Sequence, residues 1–235
     1  GLNPSFLVGG VVENFGTSFR LTESELFVVE ADEYDTAYFD KGPKMWHYLP
    51  QTAVVTNVEF DHADIYRDAQ AYDFAFERFV NLVSRTGTLV LGWQGDKERR
   101  LAEGSWAPVA SFGLEDEAPT TPREGSANDT HPRWLAADVL YGTEGTTFTL
   151  AYDGVEVGRF ETTLGGAFNV RNCLAALAAG HAVGAEWDAM AHGLATFRSV
   201  RRRLEVLGEP RGITIIDDFA HHPTAVRETL DAIRQ

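Results

Sequence analysis

The chain has 235 residues, 44% of them apolar, with 35 acids against 20 bases and a formal net charge of −15. That apolar content can bury a proper core, as one large domain or one domain plus part of another, and it excludes disorder as the default. The acidic balance argues against a nucleic-acid or anionic-membrane surface, although one local basic patch can still hold a phosphate. Cys173 is the only cysteine, which excludes disulfides within the chain and thiolate zinc sites and suits a reducing cytosol. No 18-residue apolar run and no basic-then-apolar leader is present, so no membrane span or targeting segment is expected and a cytoplasmic location is. The chain does not begin with Met, and its last stretch, HHPTAVRETLDAIRQ, breaks off in an amphipathic helical pattern, so it reads as part of a longer enzyme.

In chain order, the apolar runs LFVVE (26–30), TAVVTN (52–57), GTLVLG (87–92) and ITIIDD (213–218) have the length and β-branched content of buried strands. Longer stretches separate them, some with helical spacing, and the alternation means an α/β fold: a mostly parallel sheet flanked by helices. Tyr72, Phe76, Phe79, Val80 and Val83 recur at three- and four-residue intervals and predict a helix with an aromatic face toward the sheet. Residues 113–133 collect Pro, Gly, Ser, Thr and charge and read as an exposed loop or mobile insertion. TTFTLAYDGVEVGRF then alternates around Asp153-Gly154, a pair suited to a tight turn, so a small antiparallel ribbon is expected. Two helices follow, FNVRNCLAALAAGHAVG and EWDAMAHGLATF, and a composition change after RSVRRRLEVLGEPRG places a domain boundary near residue 206.

In open α/β sheets ligands sit beyond the carboxyl ends of strands, so polar residues just after apolar runs carry most weight. The first run delivers Glu30, Asp32, Glu33 and Asp35; the second delivers Asn57 and then EFDHADIY with His62; the last delivers Asp217, Asp218, His221 and His222. Four acids so close repel one another unless water or a cation screens them, and Mg²⁺ prefers one or two carboxylates plus phosphate oxygens, so a magnesium site and a solvated acidic turn are both open readings. His62 is either a hydrogen-bonding loop residue or a ligand oriented by Asp61 and Asp64. His221-His222 makes a poor zinc pair because adjacent side chains in an extended segment diverge, and Pro223 suits the first turn of a helix. Arg201, Arg202 and Arg203 form the one dense basic cluster, able to grip phosphate oxygens or to lie solvated at a helix end. Asn169 and Asn172 share a helix face where amides can meet an adenine edge, although capping by Asn169 would explain half of that pair. The three lysines are Lys41, Lys44 and Lys97, and no GK[ST] occurs, so a phosphate-cradling P-loop is absent from this chain.

EADEYDTAYFD, TNVEFDHADIY, GGAFNVRNCLAALAAG, RSVRRRLEV and IIDDFAHHPTAVRETL, in this order, resemble the ATP-dependent Mur ligase family. The resemblance covers nearly the whole chain apart from the variable 93–160 region. It implies that residues 1–205 are most of a central ATPase domain lacking its P-loop segment, and that 206–235 begin a Rossmann-like C-terminal domain with its first β-α unit. It further implies ATP and Mg²⁺ as cofactors, with Glu30 and His62 as catalytic magnesium ligands. Asn169 and Asn172 would read adenine, Arg203 with Arg202 would reach ATP phosphate, and Asp218 would contact ribose. Some family members hold a second metal with a carbamylated lysine; no lysine lies between Lys44 and Lys97, so Glu77 or another carboxylate would serve or that role is missing.

The motifs lean toward the member that joins UDP-N-acetylmuramate to L-alanyl-γ-D-glutamyl-meso-diaminopimelate, the murein tripeptide, in peptidoglycan recycling. The L-alanine-adding member typically has Ser where Tyr34 stands and Met-Asp-Thr-Tyr in place of residues 63–66. The alternatives are that L-alanine ligase and a non-catalytic nucleotide-binding module. No nucleic-acid or membrane partner is expected and no protein partner is evident, and a chain without its phosphate cradle is expected to be inactive alone.

Overall fold

The computed structural model describes residues 2–61, 65–117 and 132–235. Its first part is a three-stranded sheet of β1 (Ser5–Val12), β2 (Thr17–Arg20) and β3 (Phe27–Val29), in the order β2-β1-β3, with β3 parallel to β1. A short hairpin of β4 (Asp35–Ala37) and β5 (Asp40–Pro43) follows. The main sheet then runs through β6 (Thr52–Val55), α1 (Ala69–Val80), β7 (Thr88–Gly92), α2 (Asp96–Gly104), β8 (Val109–Leu114), β9 (Trp134–Gly142), β10 (Gly145–Tyr152) and β11 (Val155–Thr162). Next come α3 (Ala167–Ala182) and α4 (Trp187–Thr196), and then a unit made of β12 (Glu205–Gly208), β13 (Ile215–Asp217) and α5 (Pro223–Arg234).

The main sheet has the order β11-β10-β9-β8-β7-β6; β6 to β9 are parallel, and β9, β10 and β11 close it as an antiparallel meander. The period-two alternation of a strand decides how its two faces are covered. In β7, Leu89 and Leu91 enter one core with Phe79, Tyr72 and Leu101 of α1 and α2. Val90 points the other way, into a second core with Phe112, Trp134, Phe148, Val170 and Leu174, where α3 lies across the sheet. With a helix layer on each face, β7 has no polar side and reads as an unbroken apolar run.

Local signals set the element ends. Asp68 caps α1 by accepting from the Ala71 amide at 2.8 Å. The β10–β11 turn has positive φ at both Asp153 (49°) and Gly154 (76°), which matches the right-handed twist of the flanking strands, so the expected ribbon forms about the expected pair. Pro223 opens α5 behind His222, as its fixed φ favours.

Several expectations need correction. The runs at 26–30 and 213–218 form strands but not buried ones: Phe27 is 55% exposed, Val28 53%, Ile213 66% and Ile215 45%. Each belongs to a small sheet without the double helix layer that covers β7, so apolar residues alone did not secure burial. The stretch beginning at residue 113 is not loop throughout, because Gly113 and Leu114 end β8 as buried residues; residues 118–131 lie outside those described. The cap of α3 is Gly166 at φ 90°, not Asn169, whose Nδ2 instead donates to the Gly165 carbonyl at 2.8 Å. Arginines 201–203 lie in a turn before β12 rather than at a helix end. Strands β1 and β2, which received no expectation, pair antiparallel across a bulge.

Candidate functional site

A cleft of about 1210 Å³ opens beyond the carboxyl ends of β6, β7 and β8. One wall is the start of α3; another is the 199–204 turn and the first turns of α5. Parallel strands end at this edge and helix N-termini face it, which is why such edges bind ligands.

Asn169 and Asn172, Arg203, and Asp218, proposed from three separate stretches of the sequence, all line this cleft. Asn57 lines it too, accepting through Oδ1 from the Thr56 hydroxyl at 3.2 Å. The Asp218 carboxylate is engaged on both oxygens: Oδ2 accepts from the Leu204 amide at 2.8 Å and Oδ1 from the Ala220 amide at 2.8 Å. It thereby ties the arginine turn to the entry of α5. The Arg203 guanidinium lies 5.9 Å from the Phe219 ring centre. Arg202 is placed differently and is not among the cleft-lining residues. Its backbone sits at φ 62°, and its side chain pairs with Asp217 at 3.4 Å and covers the Phe219 ring at 5.1 Å. His221 turns back on its own segment, with Nδ1 3.0 Å from the Phe219 carbonyl oxygen.

The acidic run after β3 lies at the other end of the cleft, where Ala31 and Glu33 line it. Glu30 itself is exposed, outside the lining, and its Oε2 accepts from the Gly9 amide at 2.5 Å. Two of the other acids are offset locally: Asp32 pairs with Lys44 at 3.0 Å and Asp35 with Lys41 at 2.5 Å. The hydrogen bond that Lys44 donates to Asp32 also raises the Lys44 pKa above its ordinary value. Part of the repulsion that suggested a cation is therefore met by two of the chain's three lysines. His62 lies outside the described residues; among the described residues no group of three or more His, Cys, Asp or Glu side chains is placed to hold a metal ion. Glu77 is exposed on α1 and is not among the cleft-lining residues.

Sequence reasoning missed three participants. Glu98, only 3% exposed, lines the cleft and accepts from the Val58 amide at 2.5 Å, so α2 steadies the segment that follows β6. Its signal was available, because Gln94–Glu98 are the polar residues after the run GTLVLG and were not weighed as the others were. Glu59 accepts from the Thr224 hydroxyl at 2.7 Å, and Arg171 donates to Glu228 at 2.7 Å and to Glu117. Neither contact leaves a local sequence pattern, since the partners are 165 and 57 residues apart. Burial pushes the Glu117 carboxyl upward, against the lowering effect of Arg171 beside it. No helix among the described residues is long and apolar enough to cross a membrane.

Comparison with known proteins agrees with this layout. Residues 13–180 match the family model described as the Mur ligase middle domain, and residues 202–235 that of the Mur ligase glutamate ligase domain. The chain is 38% identical, over 100% of its length and 48% of the relative's, to the UDP-N-acetylmuramate--L-alanyl-gamma-D-glutamyl-meso-2,6-diaminoheptandioate ligase of Escherichia coli (strain K12). It is 39% identical, over 100% of its length and 49% of the relative's, to the UDP-N-acetylmuramate--L-alanine ligase of Roseiflexus sp. (strain RS-1). It is also similar to the crystal structure of the UDP-N-acetylmuramate:L-alanyl-gamma-D-glutamyl-meso-diaminopimelate ligase from Neisseria meningitides, with TM-score 0.70 and 37% identity over 86% of this chain and 60% of that one. The chain thus spans about half the length of the curated relatives it matches. Two matched domain models, an open, mostly parallel sheet and a polar cleft at its carboxyl edge lead to one conclusion: the chain belongs to the Mur ligase family.

Proposed function

We propose that the full-length protein is an ATP-dependent amide ligase that joins UDP-N-acetylmuramate to the tripeptide L-Ala-γ-D-Glu-meso-diaminopimelate, in the cytoplasm and in peptidoglycan recycling. Residues 1–205 would form most of its central domain and 206–235 the start of its C-terminal domain. The observation that carries this reading is the convergence of Asn169, Asn172, Arg203 and Asp218 on one cleft in a chain 37–38% identical to ligases named for that tripeptide. In the proposed reaction ATP phosphorylates the lactyl carboxylate, the tripeptide amine attacks the acyl phosphate, and inorganic phosphate leaves.

Bringing two anions together is mainly a matter of positioning and charge neutralisation. Asn169 and Asn172 would hold the base, Asp218 the ribose, and Arg203 the phosphates. Glu30 and His62 would hold Mg²⁺, which supplies charge neutralisation at the phosphates. An exposed carboxylate at a strand end suits that donor set, since Mg²⁺ takes one or two carboxylates and completes its shell with phosphate and water.

Phosphate release by full-length enzyme, UDP-N-acetylmuramate and ATP, with tripeptide in one assay and L-alanine in another, tests the amine. Turnover with tripeptide is expected; turnover with L-alanine alone selects the alternative supported by the 39% identical relative. His62→Ala is expected to lower kcat by about 10²–10³-fold, the usual cost of one electrostatic contact in such a site; near-normal turnover at ordinary Mg²⁺ removes His62 from the metal. Asn172→Ala should weaken ATP binding by about tenfold, the loss of roughly one good hydrogen bond. Titration calorimetry reads it, and unchanged affinity takes the base away from α3.

A further inference from the structure

We infer that Arg171 and Glu228 form a positioning pair that holds α5 against α3 and thereby sets how tightly the cleft takes its nucleotide. The inference rests on the nucleotide reading above. Arg171 stands on α3 between Asn169 and Asn172 and is 13% exposed. Its Nη2 donates to Glu228 Oε2 on α5 at 2.7 Å, and its Nη1 donates to Glu117 Oε1 just after β8. One guanidinium on α3 is therefore gripped from two sides, by α5 and by the segment that follows β8. Glu117 Oε2 is buried without a hydrogen-bond partner among the described residues, so this carboxylate tolerates desolvation to keep its hold on Arg171.

The backbones close in at the same place. Gly166, the cap of α3 at φ 90°, leaves room for α5: a Cβ there would lie 2.6 Å from Cβ of Ala232. The Thr224–Glu59 hydrogen bond ties α5 also to the segment that follows β6.

A contact shifts an equilibrium between two arrangements only by the amount that it differs between them. The Arg171–Glu117 bond lies between α3 and the end of β8 and survives any movement of α5. The Arg171–Glu228 bond exists only while α5 lies against α3, so Glu228 supplies part of the difference. Apparent affinity scales with the fraction of molecules in the binding-competent arrangement. Glu228 is 36% exposed, which leaves the pair open to salt screening.

The test places a fluorophore pair, one on α4 and one on α5, in ligand-free full-length protein and measures the distance distribution and then ATP binding. Glu228→Gln should deplete the short-distance population and weaken ATP binding about 3–10-fold, the scale of one partly exposed ion pair. Raising NaCl to about 0.5 M should deplete the same population in the unsubstituted protein, so the outcome does not depend on the variant folding. An unchanged distribution under both conditions, or weaker ATP binding with an unchanged distribution, overturns the inference. Failure of the unsubstituted protein to bind ATP would overturn the nucleotide reading instead and leave the distance result standing.

Discussion

The two walls of the cleft are built differently. On the α3 side, Val90, Phe112 and Leu174 have no exposure at all, because the sheet is covered on one face by α3 and on the other by α1 and α2. Apolar residues are present on the α5 side too, yet Val206 and Leu207 are each 61% exposed and Leu230 49%. No residue of β12, β13 or α5 is buried. Apolar side chains become a core only when a second layer arrives to receive them. The cleft thus has one rigid wall carrying Asn169 and Asn172, and one lightly held wall carrying Asp218 and Glu228, joined by a few polar contacts.

Truncation on the rigid side should expose that contrast most strongly. Phe112→Ala removes a ring with zero exposure between β8 and α3, and about 3–5 kcal/mol of stability should go with it, transfer and cavity costs together. Urea unfolding of the 235-residue chain measures it, and a loss below about 1 kcal/mol would mean that this wall is as loosely packed as the other. Glu98→Ala comes next. Removing its carboxylate leaves the Val58 amide unpaired in a buried setting, at a cost of about 1–3 kcal/mol in the same assay. Because Val58 leads into Glu59, the variant should also loosen the contact to Thr224, which amide hydrogen exchange in α5 would report.

Alkaline titration separates the walls by chemistry. Burial pushes the Cys173 thiol from 9.0 up to about 11, and burial, with Glu33 and Asp32 nearby, pushes the Tyr66 phenol from 10.0 up to about 12. In both cases the folded state holds a proton that the unfolded chain releases sooner. The stability they add is therefore complete below about pH 9, declines as pH rises past the unfolded values, and is lost through pH 11 to 12. Both groups pack on the rigid side, so the decline should appear as global unfolding. Cys173→Ala should flatten the segment between pH 9 and 11; an unchanged profile would show that the thiol is not desolvated in solution.

How much of this was legible in the sequence follows the same division. Strands β6 and β7, helix α1 and the Asp153-Gly154 turn obey local rules of periodicity and turn geometry, and all appear within a few residues of where those rules put them. The four cleft residues Asn169, Asn172, Arg203 and Asp218 were found because each follows an apolar run or sits in a motif. Burial of β3 and β13 was misjudged because composition records what a residue prefers, not whether a layer is there to satisfy it. Arg171, Glu228 and Glu59 were invisible for a different reason: each acts through a partner far along the chain, and a single charged residue carries no pattern.

The smallest effect belongs to α5, and it gives the comparison its sharpest edge. Leu230→Ala shortens a side chain that is already 49% exposed, so only part of its transfer free energy is at stake and no cavity forms. A loss under about 1 kcal/mol is expected in urea unfolding of the 235-residue chain. The cost of Phe112→Ala divided by that of Leu230→Ala then measures the asymmetry of the two walls directly. If Leu230→Ala instead cost as much as the core truncation, α5 would have to be packed as deeply as α3. Its hold on the cleft would then come from apolar contact rather than from Arg171 and Glu59, and breaking the Arg171–Glu228 bond would leave the position of α5 unchanged.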